Sequence, residues 1–155
     1  MLVWLWLSTA VIALDQVSKQ WAEAALSLHQ PVALVPSLNL TLMYNQGAAF
    51  SFLADAGGWQ RWFFIGLASL VSLVLVVWLA RLDKGERATA IGLSLVLGGA
   101  VGNLIDRFLH GHVIDFIDVY YDRWHWPAFN VADSAITLGV ALLLLGSLRH
   151  PETPA

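Results

Sequence analysis

The amino-acid sequence predicts an all-α membrane protein of four transmembrane helices, with a small outer-surface β-sheet and an interfacial helix in the loop between the first two. Three observations carry that prediction. Apolar residues make up 58% of the chain and charged residues only 12%, against roughly 25% charged in soluble domains. The mean hydropathy is +0.67, too high for a surface that faces water on every side. Eight tryptophans in 155 residues suit a chain with two membrane–water interfaces, where indole rings concentrate. The length suits a single domain, residues 1–155.

Crossing about 30 Å of hydrocarbon takes roughly 20 residues, and four stretches qualify. The first, about 2–21, starts near Leu2 and must run past Asp15 towards Trp21 to be long enough. No Lys or Arg precedes it and no small-x-small site ends its apolar part, so it reads as a retained helix rather than a cleaved signal. In the following loop, 22–61, Val32 to Val35 and Leu38 to Tyr44 have the alternating, β-branched character of short strands, and Gly47 to Leu53 is a candidate third. Asn45-Gln46-Gly47 reads as a turn between them, and Trp59 and Trp62 mark an interfacial segment. The second span, about 62–80, is uninterrupted. The third, about 88–109, carries Gly98, Gly99 and Gly102. The fourth has a pure apolar core only from Ala135 to Leu148, so it begins near Val131 and runs over 131–148. Arg81, Lys84 and Arg87 crowd the 81–87 loop and Arg149 follows span four. The positive-inside tendency makes that loop and both termini cytoplasmic and puts loops 22–61 and 110–130 on the outer face.

Several function classes drop out. A net charge of −3, with basic residues grouped only in one short loop, gives no reason to expect nucleic acid as a partner. The absence of cysteine removes disulfide scaffolds, thiol nucleophiles and thiolate metal sites. His29, His110, His112, His125 and His150 form no HExxH or other helical ligand spacing. Neither a metal nor a cofactor is expected.

The carboxylates hold most of the functional signal. Span one needs Asp15 inside it, span three carries Asp106 and Arg107 in its last turn, and span four carries Asp133 in its first. With alternating crossings these three acids and the loop residues Asp115 and Asp118 all fall on the outer side. Burying an ionised carboxylate at the bilayer centre costs about 2.5 to 3.5 kcal/mol on insertion scales, so such acids are functional candidates. Each also has a plain structural explanation. Asp15 pairs favourably with Lys19 at i+4, worth roughly 0.2–0.5 kcal/mol. Asp106 beside Arg107 suits an ion pair. Asp133 suits a helix N-terminus, worth about 0.3–1 kcal/mol. Asp118 and Asp122 read as solvated loop charges. Their coincidence on one side is harder to explain by packing.

Polar neighbours sharpen this. Asn103, Asp106 and Arg107 share a helix face at i, i+3, i+4, and the preceding glycines leave room for close helix approach or a ligand. Asn130 stands where it caps span four or donates to a substrate carbonyl. The catalytic tool left to such a chain is a pair of aspartates. Two carboxyls forced together share one proton, so one activates water while the other protonates a leaving nitrogen. Geometry alone leaves Asp133 paired with any one of Asp15, Asp106 and Asp115. A proton- or cation-coupled transporter is the main rival, but its acids belong near mid-bilayer, often with repeat symmetry, and no repeat is visible. A haem- or quinone-binding four-helix protein is a third reading, set aside because no histidine lies inside a span to act as an axial ligand.

Five ordered segments resemble the lipoprotein signal peptidase (signal peptidase II) family: Asp15-Gln-Val-Ser-Lys19, Asn45-Gln-Gly-Ala-Ala-Phe50, Gly98-Gly-Ala-Val-Gly-Asn-Leu-Ile-Asp-Arg107, Val113-Ile-Asp-Phe116 and Phe129-Asn-Val-Ala-Asp-Ser134. The resemblance covers essentially the whole chain. It implies a membrane aspartyl endopeptidase acting on a diacylglyceryl-modified prolipoprotein and cutting just before the lipid-modified cysteine. It further implies a catalytic dyad at Asp115 and Asp133. Asn45, Gly47, Asn103, Arg107 and Asn130 then match substrate-binding or supporting positions, and Asp15, Lys19 and Asp106 match supporting charges. The setting implied is the bacterial inner membrane, with membrane lipid as surroundings, the site near the periplasmic face and a monomer sufficient.

Overall fold

The computed structural model describes residues 1–47 and 58–149. A 3-10 turn, Leu2–Trp4, leads into α1 (Leu5–Ala25), then β1 (Val32–Val35), β2 (Leu38–Asn45), α2 (Trp59–Arg81), α3 (Arg87–Leu109), β3 (Val113–Tyr121), β4 (Trp124–His125) and α4 (Val131–Arg149). At 1.5 Å per residue the four helices are each about 29–35 Å long, close to a hydrocarbon thickness. Three are long and apolar enough to cross a membrane: Trp59–Arg81, Arg87–Leu109 and Val131–Leu148. α1 has the length, but Asp15, Gln16, Lys19 and Gln20 break its apolar run.

Of these, Asp15 and Lys19 fall on one buried stripe, whereas Gln20 is exposed. The buried positions of α1 are Ser8, Val11, Asp15, Lys19 and Ala22, spaced three or four apart, so they share the face turned to the other helices. Val3, Trp6, Leu14, Val17 and Trp21 are exposed instead. The helix is inside out relative to one in a soluble protein.

α3 lies at the centre and packs against α1, α2 and α4. Two of its glycines allow this. A Cβ at Gly99 would run into the Ala132 carbonyl oxygen of α4, and one at Gly102 would come within 2.6 Å of Asp15 Oδ2. Close backbone approach through small residues is the usual means of helix association where lipid removes the hydrophobic driving force. At the other end of the bundle, Leu75, Leu79 and Leu82 pack on Ala90, Leu93 and Leu97.

The sheet has strand order β1-β2-β3-β4, all antiparallel. It is fixed to the last turns of α1 through a cluster of Ala22, Leu42, Ile114 and Phe116. Its composition differs from the expectation, which confined the sheet to the 1–2 loop. β1 and β2 come from that loop, but β3 and β4 come from the 3–4 loop. The segment Val113–Tyr121 is rich in β-branched and aromatic residues. It becomes a strand because β2 offers an edge and α1 offers an apolar end to cover. A third strand over Gly47 to Leu53 lies outside the described residues from position 48 on. So does most of the segment where an interfacial helix was expected; Trp59 and Trp62 stand in the first turn of α2.

The tight seam between α3 and α4 makes Gly99→Val destabilising. Overpacking typically costs about 1–3 kcal/mol, which should appear as a lower melting temperature in detergent. Gly66→Val is the control, because its Cβ meets nothing within 4 Å, and it should melt like the parent.

Candidate active site

Every residue expected at the site comes to the sheet end of the bundle, in two layers. The inner layer is a buried ion cluster. Lys19 Nζ lies 2.8 Å from Asp15 Oδ2 and 2.8 Å from Asp106 Oδ2, and none of the three is more than 1% exposed. The remaining lone pairs are occupied too. Asp15 Oδ1 accepts the Ala132 backbone N–H of α4 (2.9 Å). Asp106 accepts Gln16 Nε2 (2.8 Å) and the Ile114 N–H (3.1 Å). A buried charge is tolerable only when paired and fully hydrogen-bonded, and these meet that condition. Asp106 therefore pairs with Lys19 rather than with its neighbour Arg107.

The outer layer holds Asp115 on β3 and Asp133 in the first turn of α4. Asn130 joins them. Its Nδ2 donates to Asp115 Oδ1 at 2.7 Å. Its backbone N–H donates to Asp133 Oδ2 (3.3 Å), and its Oδ1 accepts the Asp133 N–H (2.9 Å). That reciprocal pair is a capping box with Asn130 as N-cap, so the residue that starts α4 also orients both acids. Asn45 Nδ2 donates to the other oxygen of Asp115 at 3.2 Å, and Asn103 Nδ2 donates to Asp133 Oδ1 at 2.8 Å. Asn103 Oδ1 in turn accepts from Lys19 (2.9 Å) and from Asn130 (3.1 Å), linking the two layers. Burial first, and the Asp133 carboxylate second, push Asp115 up to about 7, against bonds from Asn45 and Asn130 that pull it down.

Arg107 and Gly47 form one edge of this layer. Gly47 N–H donates to Asn45 Oδ1 (3.0 Å), which closes the turn expected at Asn45-Gln46-Gly47. Arg107 Nη2 donates to the Gly47 carbonyl (2.9 Å), and its guanidinium lies 5.1 Å above the Phe64 ring.

Three contributors were not singled out in the sequence, and a fourth was misread. Gln16 holds Asp106, and its signal was present as another polar residue within a span. Phe64 supports Arg107, and Arg61 donates to the Arg107 and Phe108 carbonyls (2.9 and 2.7 Å) that end α3; both sit among apolar or boundary residues with nothing to mark them. Asp118, read as a solvated loop charge, is buried instead. Thr41, Asn39 and His125 bond it. Burial would raise its carboxyl, but those bonds, His125 foremost, outweigh it and hold the group below the usual carboxylate range.

A family model described as signal peptidase (SPase) II matches residues 7–149. A lipoprotein signal peptidase of Pseudomonas paraeruginosa is 57% identical over 154 residues, covering 98% of this chain and 91% of that protein. One of Acinetobacter baumannii is 56% identical, covering 93% and 82%. Two solved structures described as bacterial membrane enzymes superpose with TM-scores of 0.87 and 0.82 at 29% and 31% identity. They cover 99% and 96% of this chain, and 93% and 94% of theirs.

The ion cluster generates a stability prediction. Lys19→Met leaves two buried carboxylates with no cation and should cost about 3–5 kcal/mol in detergent unfolding. Asp15→Asn leaves Lys19 balanced by Asp106 and should cost distinctly less. Equal losses would contradict a charge-balance role for Lys19.

Proposed function

The chain belongs to the signal peptidase II family, peptide-bond hydrolases that remove signal peptides from prolipoproteins, and we propose that it does so with Asp115 and Asp133 as a catalytic pair acting on water. The observation that carries this is the shared bonding of both acids to Asn130. Asp15 and Asp106, the other fully buried acids of the helices at this end, are both saturated by Lys19, Gln16 and backbone N–H groups.

One carboxyl of the pair holds a proton and the other is ionised. The ionised member takes a proton from water as the hydroxyl attacks the scissile carbonyl carbon. The protonated member hydrogen-bonds the carbonyl oxygen and then delivers its proton to the amide nitrogen as the C–N bond breaks. Asp115, pushed up to about 7, is the member that holds the proton at rest. Asn45, Asn103 and Asn130 fix the two carboxyls, and Arg107 with Gly47 forms the wall against which the substrate backbone lies. No cofactor enters this scheme. All these groups come from one chain, so a monomer suffices.

All four helices span the bacterial inner membrane in this reading, α1 included, because Asp15 and Lys19 turn inward while Trp6, Leu14, Val17 and Trp21 face outward. The tryptophans support two interfaces about one helix length apart. Trp21, Trp59, Trp62, Trp124 and Trp126 lie at the sheet end, and Trp4, Trp6 and Trp78 at the other. The loop of Arg81, Lys84 and Arg87 and both termini are then cytoplasmic, with the acids near the periplasmic face. A diacylglyceryl group on the substrate cysteine anchors in the surrounding lipid and holds the bond just before it at this depth, which reduces the entropic part of the barrier.

Asp115→Asn and Asp133→Asn should each lower cleavage of a lipid-modified precursor by about 10²–10⁴-fold, and normal turnover in either would overturn the assignment. A linked prediction concerns stability. The folded value of Asp115 lies above its ordinary 3.8, so between those values the folded state binds more protons than the unfolded one. Stability should therefore fall as pH rises from about 4 to 7, with the full cost present above 7. Asp115→Asn removes this dependence, so its melting temperature should gain on the parent's across that window. A constant difference would contradict the raised value.

A further inference from the structure

At the end of the bundle opposite the acids, a cavity of about 590 Å³ opens between the start of α1 and the start of α3. Leu2, Val3, Trp4 and Trp6 form its apolar wall, and Lys84 and Arg87 stand at its rim. Leu2, Val3 and Trp6 are largely exposed. Both charged residues lining it are cations, and neither forms an ion pair among the described residues. Two acids adjoin these cations in sequence, Asp83 and Glu86; Glu86 Oε2 accepts the Asp83 backbone N–H at 2.9 Å, and neither acid is within ion-pair distance of Lys84 or Arg87. The cavity has no part in the hydrolytic scheme.

We propose that this cavity binds a phospholipid with an anionic headgroup, its phosphate between Lys84 and Arg87 and one acyl chain along Leu2, Val3 and Trp6. The chemistry fits on three counts. The wall is apolar where a glycerol backbone and acyl chain would lie. The rim carries two unpaired cations where a phosphate would lie, each worth about one order of magnitude or slightly less in binding. Trp4, Trp6 and Trp78 mark the same depth as an interface, where indole and headgroup meet. The inference rests on the membrane placement proposed above, but not on the catalytic assignment. A bound lipid there would join α1 to the α2–α3 loop on the side where no sheet holds the helices together.

The test uses the full chain in nonionic detergent, with lipid binding read by native mass spectrometry and by the shift in melting temperature. The parent should bind phosphatidylglycerol at least tenfold more tightly than phosphatidylcholine. Lys84→Gln/Arg87→Gln should lose that preference while still cleaving a lipid-modified precursor in detergent, which separates this site from the catalytic one and shows that the variant is folded. Three results would overturn the proposal: an unchanged preference in the double variant, equal binding of the two lipids by the parent, or an equal thermal shift from inorganic phosphate alone.

Discussion

A single buried cation organises the functional end of this molecule. Lys19 of α1 sits between Asp15 on its own helix and Asp106 of α3, and Asp15 reaches on to the first turn of α4. Lipid offers no water to satisfy a stray charge, so α1 can sit in hydrocarbon only with this stripe turned inward. Its rotation is thereby set, and with it the apolar face left outside. The same cation also decides how Asn103 points. Lys19 donates to Asn103 Oδ1, so the amide nitrogen of Asn103 is left to donate to Asp133. A charge two helices away thus orients one of the proposed reacting acids.

Asp15, Asp106, Asp115 and Asp133 divide into two kinds by their partners. Asp15 and Asp106 are neutralised by a cation and backbone N–H groups, which makes them parts of the frame. Asp115 and Asp133 receive mainly neutral amide donors, from Asn45, Asn103 and Asn130. Amides steady a carboxyl without neutralising it, so Asp115 feels its burial and its acidic neighbour and rises to about 7. That is a cost to the folded state, and it suits the proton-holding role proposed for this carboxyl.

Much of this was legible in the sequence, for physical reasons that differ by residue. The helices were, because a run of apolar residues long enough to cross lipid has few alternatives. The acids were, because charge inside such a run needs an explanation. Which acids pair was not decidable from spacing, since Asp15, Asp106 and Asp115 all reach the same depth; the resemblance in five motifs supplied an assignment that periodicity could not. The strand Val113–Tyr121 was hidden because its acids at 115 and 118 are three apart and break the period-two pattern. Asp118 was misjudged for a related reason. Its partners Thr41, Asn39 and His125 lie on two other strands, and only strand pairing brings them together.

The pair Asp115 and Asp133 is in the end a local construction. The chain leaves β3, turns at Asp122, where φ is 54°, forms β4, and comes back so that Phe129 pairs with Ile117. The Phe129 carbonyl accepts the N–H groups of both Phe116 and Ile117, and the Phe129 N–H returns to the Ile117 carbonyl. This closure sets Asn130, the next residue, beside Asp115, and the capping box then fixes Asp133 one turn further on. The spacing of the two acids is therefore governed by a few backbone bonds within one segment. The helices govern something else, namely the depth in the membrane at which that segment is held. Separating the two tasks explains how a small bundle of lipid-facing helices can still orient the two carboxyls proposed to act as the pair.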